Sequence, residues 1–379
     1  MNLTDIASTR LTSQHIAGSR LKTVRDIVGW MGAMQAQEYA MAKWSVGVRL
    51  PGSTVEIIDG AIASGDIIRT HLLRPTWHFV AADDVYWMIA LTGPQIKAGL
   101  ALRHRELELD ETVFSKSNSV IEKALGAGKH LLREELVAEL RRANIATDNA
   151  RASHLFMRAE LDGIACSGAT RGGKPTYALL AARVPKARHL AREEALASLA
   201  KRYFTSRCPA TVQDFAWWSG LTAGDARHAL QMVQSDFGLE RFDAQDYWLC
   251  TTSAVAEAGT NLAYLLPTFD ELILSYKDRR APLPFSAYNK AVSNNGVWRP
   301  VIVVNGRVIG IWKRTIAKGT VLIETGLFAR PDPATWRLIE EAAVQYGHFL
   351  GKEIEVTYGE YGQQPGRPGL PAQTPPAED

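Results

Sequence analysis

A chain of 379 residues is too long for one ordinary hydrophobic core and divides into two to four domains. Its 46% hydrophobic and 22% charged residues describe a globular protein, and its net charge of +3 permits nucleic acid binding without demanding it. Cys166, Cys208 and Cys250 lie far apart with no CxxC spacing, which excludes a disulfide framework or a zinc cluster; with no apolar signal core and no membrane-length apolar run, the expectation is a soluble, cytoplasmic protein.

In chain order, three stretches repeat one grammar of helices followed by a hairpin. In the first, "SQHIAGSRL" and "TVRDIVGWMGAMQAQ" read as helices. "STVEIIDGAIASGD" is another, with Ser53 or Thr54 as N-cap and Gly65 near its end. "IIRTHLLRPTWHFV" reads as two strands with Arg74 and Pro75 near the turn, and a helical spacer follows. The second stretch holds three helices and then "IACSGATRGGKPTYALL", a hairpin turned at Gly172-Gly173 with Arg171 and Lys174 at its tip. A basic hairpin after three helices is the pattern of a winged helix. The third holds "EEALASLAKRYFTSR", then a helix–turn–helix with Thr222 as N-cap, then the strand "DYWLCTTS".

Beyond about residue 259 strands dominate. "RPVIVVNGRVIGIWKR" is a hairpin turned at Asn305-Gly306, "TVLIETGLF" and "EIEVTYGE" add strands, and "PATWRLIEEAAVQYGHFL" is an amphipathic helix against them. The expected class is α+β, mainly α: winged-helix units over 1–109, 110–185 and 186–258, a β-rich domain over 259–362, and a disordered Pro- and Gly-rich tail over 363–379.

Within "GAMQAQEYA", Gln35 and Gln37 end a run that reads as a buried helix. Amides are costly to bury without partners. On an unbroken α-helix, residues two apart point roughly 200° apart. The two can serve one site only if the helix ends or distorts near Ala36; otherwise each caps carbonyls or bridges helices. In "RTHLLRPTWHFV", strand alternation puts Thr76 and His78 on one face and Trp77 and Phe79 on the other, so a polar face with an imidazole and the Arg74 guanidinium coexists with a core face. "LLPTFDELILSYKDRR" offers Asp270, read first as a structural ion pair with an arginine, and Asp278, Arg279 and Arg280. In "GIWKR", Lys313 and Arg314 either grip phosphate or end a strand. No phosphate loop, HExxH, GxSxG or dinucleotide fingerprint occurs, and the nine histidines lack metal spacing.

Taken in order, Gln35-Ala36-Gln37, the His71 to His78 stretch, the Pro267 to Arg279 segment and Gly310 to Arg314 resemble the AlkZ-like (YcaQ-type) winged-helix DNA glycosylases over nearly the whole chain except the tail. The resemblance implies tandem winged helices in a C-shape with a C-terminal β-rich domain. It implies hydrolysis of the N-glycosidic bond of alkylated purines, including N7-alkylguanine adducts and crosslinks, in double-stranded DNA. Gln35 and Gln37 take the catalytic role. From the sequence, Arg74, Thr76, His78, Arg171, Lys174, Lys313 and Arg314 are the expected substrate and DNA contacts, with Arg74 and His78 either lining the cleft or touching the DNA backbone and Arg171 and Lys174 on phosphates. Neither metal nor cofactor is implied, and related proteins suggest a monomer. Pro75 departs from the family's pattern, where a small residue is more usual, and should stiffen the hairpin. Two other readings stand beside the enzyme: a non-catalytic winged-helix DNA-binding regulator, with Gln35 and Gln37 as structural amides, and a protein-interaction module.

Overall fold

The structure is a computed structural model that describes residues 1–148, 150–186, 188–250, 262–293 and 296–362. The expected tail over 363–379, the expected division at 258 and the end of the "DYWLCTTS" strand lie outside the described residues.

The chain begins with α1 (Leu3–Ser13), capped by Asn2. "SQHIAGSRL", expected to be helical, contributes only the end of α1 and then turns, with His15 at φ 56° and Gly18 at φ 68° breaking any helix. Next come α2 (Val24–Met31), β1 (Ala33–Gln35), α3 (Tyr39–Gly47), α4 (Val55–Ser64), β2 (Ile67–Leu72) and β3 (Arg74–Ala81). Thr54 caps α4 and Gly65, left-handed, closes it, as their types predict. The sheet order is β1-β3-β2, so the strand before the helices pairs with the last strand of the hairpin. The spacer is α5 (Val85–Gly99) and α6 (Ala101–Glu106).

That order recurs. α7 (Glu111–Leu125), β4 (Leu131–Leu132), α8 (Arg133–Arg142), α9 (Arg151–Leu161), β5 (Ala165–Ser167) and β6 (Thr176–Leu179) form a sheet ordered β4-β6-β5. Gly172 and Gly173 both have positive φ, as the tight turn between Arg171 and Lys174 requires. After α10 (Leu180–Arg183) come α11 (Arg192–Ser206), α12 (Val212–Ser219), α13 (Ala223–Val233), β7 (Phe237–Phe242) and β8 (Gln245–Cys250). Here Ala210 takes the place of the first strand, bridging Trp248 on β8.

The remaining elements are β9 (Ala263–Leu266), α14 (Glu271–Leu274), α15 (Phe285–Ala291), β10 (Val301–Val304), β11 (Arg307–Ile316), β12 (Thr320–Leu327), α16 (Pro333–Leu350) and β13 (Glu353–Thr357). The sheet runs β13-β12-β11-β10-β9, antiparallel except for β12 and β13, which α16 connects in parallel as a crossover must.

One hydrophobic core is common to the first unit and this sheet. Trp44 of α3 packs at 5.0 Å from Tyr346 and 5.1 Å from Phe349 of α16, and its Nε1 donates to Leu265 O of β9 at 2.6 Å. A second core joins β2, β3 and α5 to α11, α12 and α13, and a third fills the second unit. The first hairpin is therefore held on both sides, and the turn between β9 and α14 is carried directly onto β1.

Candidate active site

Sequence periodicity runs α2 on to Gln37, but the helix ends at Met31. Gly32 takes φ 70°, ψ −57°, a conformation closed to an ordinary L-residue, and the chain leaves in extended form as β1. The break falls four residues before the Ala36 position where the spacing places it. In extended chain, alternate residues share a face. Gln35 lies opposite His78 of β3, and Ala36 N donates to Trp77 O at 2.7 Å, carrying the pairing on toward Gln37.

Gln35 is 9% exposed. Its Oε1 accepts from Arg74 Nη2 at 3.0 Å, and Arg74 Nη1 donates to Trp217 O at 3.3 Å. Gln37 is exposed, and its Oε1 accepts from Trp77 N–H at 3.4 Å. Both amides thus reach the first half of β3, at Arg74 and Trp77. His78, on the same face, is wholly buried, and its Nδ1 donates to Thr76 O at 2.9 Å. A carbonyl only accepts, so that bond leaves Nε2 as an acceptor. Burial first, then the charge of Arg74, pulls the His78 pKa down to about 3, so the ring is neutral at pH 7. His78 Nε2, Thr76 Oγ1 and Thr70 Oγ1, the last opposite His78 on β2, are buried and make no hydrogen bond among the described residues. Such a concentration of unsatisfied polar atoms is unusual in a folded interior and marks a place built to receive polar groups.

Beneath Gln35 lies Glu271, at the start of α14 and 1% exposed. Its Oε1 accepts from Gln35 N–H at 2.8 Å. Its Oε2 accepts from Ser275 Oγ at 2.6 Å, Arg207 Nη2 at 2.9 Å and Trp218 Nε1 at 3.1 Å. Arg207 also donates to Met31 O at 2.7 Å and Ala33 O at 2.9 Å, the carbonyls on either side of the helix break. Burial raises the Glu271 pKa, but Arg207, the Ser275 hydroxyl and the Gln35 N–H outweigh it and bring it to about 2. The two ions clamp β1 in register. Next door, Asp270 forms a bidentate pair with Arg49 at 2.8 and 2.9 Å, both side chains fully buried, the structural ion pair its sequence suggested.

The third unit closes the site from above. Gly220, at the end of α12 with φ 71°, comes so close to the hairpin tip that a Cβ there would sit 2.3 Å from Leu73 O. Pro75 is exposed beside this tip. His71, by contrast, faces the second unit, where it pairs with Glu160.

The other candidate residues find different partners. Arg171 pairs with Glu135, and Lys174 lies 3.6 Å from Glu134, both acids on α8. Lys313 lies 3.6 Å from Glu324 of β12, and Arg314 donates to the hydroxyl of Tyr346 on α16. Both sit within a long strand rather than at its end. The polar partners of these four residues are therefore not on β1 or β3. Sequence reasoning passed over Glu271 in favour of its neighbour Asp270. It also passed over Arg207 and Trp217; the one available signal was a charged residue set inside an apolar helix end, in "YFTSRCP" and in "FDELIL".

Fold and site together define a helix-rich protein of mixed α and β structure whose polar centre is a pair of amides at and just beyond the end of a short strand, braced by a buried ion pair. A solved structure, Streptomyces sahachiroi DNA glycosylase AlkZ, is similar to this chain with a TM-score of 0.75 and 19% identity, covering 94% of this chain and 99% of that one. A curated relative from the same organism, "Interstrand DNA cross-link repair glycosylase", is 25% identical over 377 residues, 92% of this chain and 95% of the relative. The family described as "DNA glycosylase AlkZ-like" matches residues 28–349. The chain belongs to the AlkZ-like DNA glycosylases, enzymes that hydrolyse the N-glycosidic bond.

Proposed function

We propose that this enzyme is a monofunctional glycosylase for alkylated purines of the N7-alkylguanine type in double-stranded DNA, bulky adducts and interstrand crosslinks included, with Gln35 and Gln37 as its catalytic pair. The observation that carries the reading is that both amides contact the first half of β3, at Arg74 and Trp77, the stretch that also holds Thr76 Oγ1 and His78 Nε2 without hydrogen bonds among the described residues. The relative's name supplies the crosslink class.

The chemistry matches the groups. An N7- or N3-alkylated purine is cationic and departs without protonation, leaving an oxocarbenium-like sugar. Catalysis then needs an oriented water and electron-rich surroundings rather than a strong base. Amide oxygens, a neutral imidazole nitrogen and hydroxyls provide both. Glutamine does not titrate, and His78 stays neutral far below pH 7, so neither adds positive charge where the sugar cation forms. No lysine lies in the motif, so hydrolysis proceeds without a Schiff base. Neutral lesions such as uracil, whose base departs less readily, are poor substrates.

The three units over 1–109, 110–185 and 186–258 are read as winged helices arranged in a C-shape, with the β-rich part over 259–362. A concave surface leaves a bulky adduct outside a snug pocket. The protein acts as a monomer without metal or cofactor. Arg171 and Lys174 are secondary phosphate contacts, since Glu135 and Glu134 already match much of their charge at the surface. The regulator reading is not favoured, since the family is enzymatic. The test is release of base from duplex DNA carrying N7-methylguanine, together with Gln35→Ala/Gln37→Ala. Loss of release with folding and DNA binding kept supports the catalytic pair; unchanged release refutes it.

A further inference from the structure

Among the described residues, Lys277 is exposed and has no ion pair. Arg279 beside it is also without a carboxylate: its Nε donates to Ile273 O at 2.9 Å and its Nη1 lies 3.5 Å from Lys277 O. The guanidinium is stacked between two indoles, 5.3 Å from the Trp217 ring and 5.0 Å from the Trp298 ring. Tyr288 continues the stack, edge-on to Trp298 at 5.4 Å. This row borders a cavity of about 440 Å³ that Lys277, Arg279, Phe285 and Tyr288 help to line. Trp298 is buried, but the aromatics around it are displayed: Trp217 is 46% exposed, Tyr288 37% and Phe285 79%. The row is continuous with the active site, because the Trp217 carbonyl accepts from the same Arg74 that holds Gln35.

The nearby acids do not neutralise it. Asp278 is taken by Arg280, which Asp243 also pairs. Asp214 is buried, and its Oδ1 accepts from the N–H groups of Lys277 and Asp278, while Arg10 stands 3.7 Å from its Oδ2. A cation without a partner gains most from a phosphate, and exposed aromatic faces stack on bases without sequence preference. We propose that this face docks the DNA strand beside the lesion, with phosphates on Lys277 and Arg279 and a sugar or base against Trp217 and Phe285. The proposal rests on the glycosylase reading but locates its main DNA contact here instead of on the paired wing residues Arg171 and Lys174.

The test is fluorescence anisotropy with a labelled undamaged duplex over a salt series, using Lys277→Glu and Phe285→Ala separately and together. Both side chains are exposed, so neither change should disturb folding; Arg279 is left intact because its stack is structural. Arg171→Ala/Lys174→Ala is the reference. The expected result is at least about a tenfold loss of affinity for Lys277→Glu with a salt slope shallower by about one, a further loss on adding Phe285→Ala, and less than about a threefold loss for the wing pair, whose charges are already matched. Parental affinity and slope in the Lys277→Glu/Phe285→Ala variant would overturn the proposal, as would a change only in self-association. Binding is read on undamaged DNA, so a protein that binds through this face but releases no base would sink the glycosylase reading and leave the surface standing.

Discussion

The β2–β3 hairpin of the first unit and the β5–β6 hairpin of the second have the same place in the same topology, yet their polar residues live in opposite settings. Arg171 and Lys174 sit at an exposed tip, paired with acids of the earlier helix α8. Arg74, Thr76 and His78 sit under α12, which Gly220 lets close, and against Glu271, brought in by a turn of the C-terminal sheet. The basic hairpin is the more visible motif in the sequence. The buried one has the geometry for chemistry, because desolvation makes each hydrogen bond count for more and keeps His78 neutral. A motif's neighbours, more than the motif, decide what it can do.

The largest expected difference between the two regions is in stability. Glu271→Ala leaves Arg207 charged and buried without a carboxylate, and should cost about 3–5 kcal/mol in urea unfolding. Glu135→Ala, which frees Arg171 at the surface, should cost less than about 1 kcal/mol. Equal losses would erase the contrast. Next in size, Gln35→Ala/Gln37→Ala should lower single-turnover base release by about 10²-fold or more, with little change in stability, because the Gln35 backbone keeps its bond to Glu271.

A pH series sharpens the comparison further. The His78 pKa is about 3 when folded and 6.5 when unfolded, so below pH 6.5 the unfolded chain binds the additional proton and stability falls. Between pH 7 and pH 5 that should remove about 2 kcal/mol from the parent and nothing comparable from His78→Gln. The Glu271 pKa is depressed from 4.5 to about 2, so its contribution is complete above 4.5 and is lost as pH falls toward 2. The two groups therefore weaken the fold in overlapping acid windows, His78 from the higher pH. Parallel pH profiles for parent and His78→Gln would contradict the assignment. The smallest effect belongs to Arg171→Ala/Lys174→Ala, whose unfolding free energy in urea should match the parent's to within about 1 kcal/mol.

Local signals carried much of the fold. The Gly172-Gly173 and Asn305-Gly306 turns have the positive φ values their types require, and Thr54 and Thr222 cap the helices they precede. The alternation of Thr76 and His78 against Phe79 was readable as two faces of one strand. The spacing puts the end of α2 near Ala36, four residues late, because the apolar pattern through Met34 continues a helical period that Gly32 overrides. α3 went unread: it is buried along almost its whole length, so it has no polar face to reveal a period. The β7 strand of a local hairpin with β8 and the short helices α14 and α15 were missed, as was β9, whose pairing with β10 is distant in sequence. Glu271 could not be tied to Gln35 because 236 residues separate them, and only the core common to the first unit and the C-terminal sheet brings them together.

The most direct test of the account is to incubate the purified protein with duplex DNA carrying N7-methylguanine and quantify free base, with Gln35→Ala/Gln37→Ala in parallel. The account predicts release by the parent and its loss in the variant at retained folding and duplex affinity. Release at the same rate by both proteins would contradict it, and would return Gln35 and Gln37 to the role of structural amides.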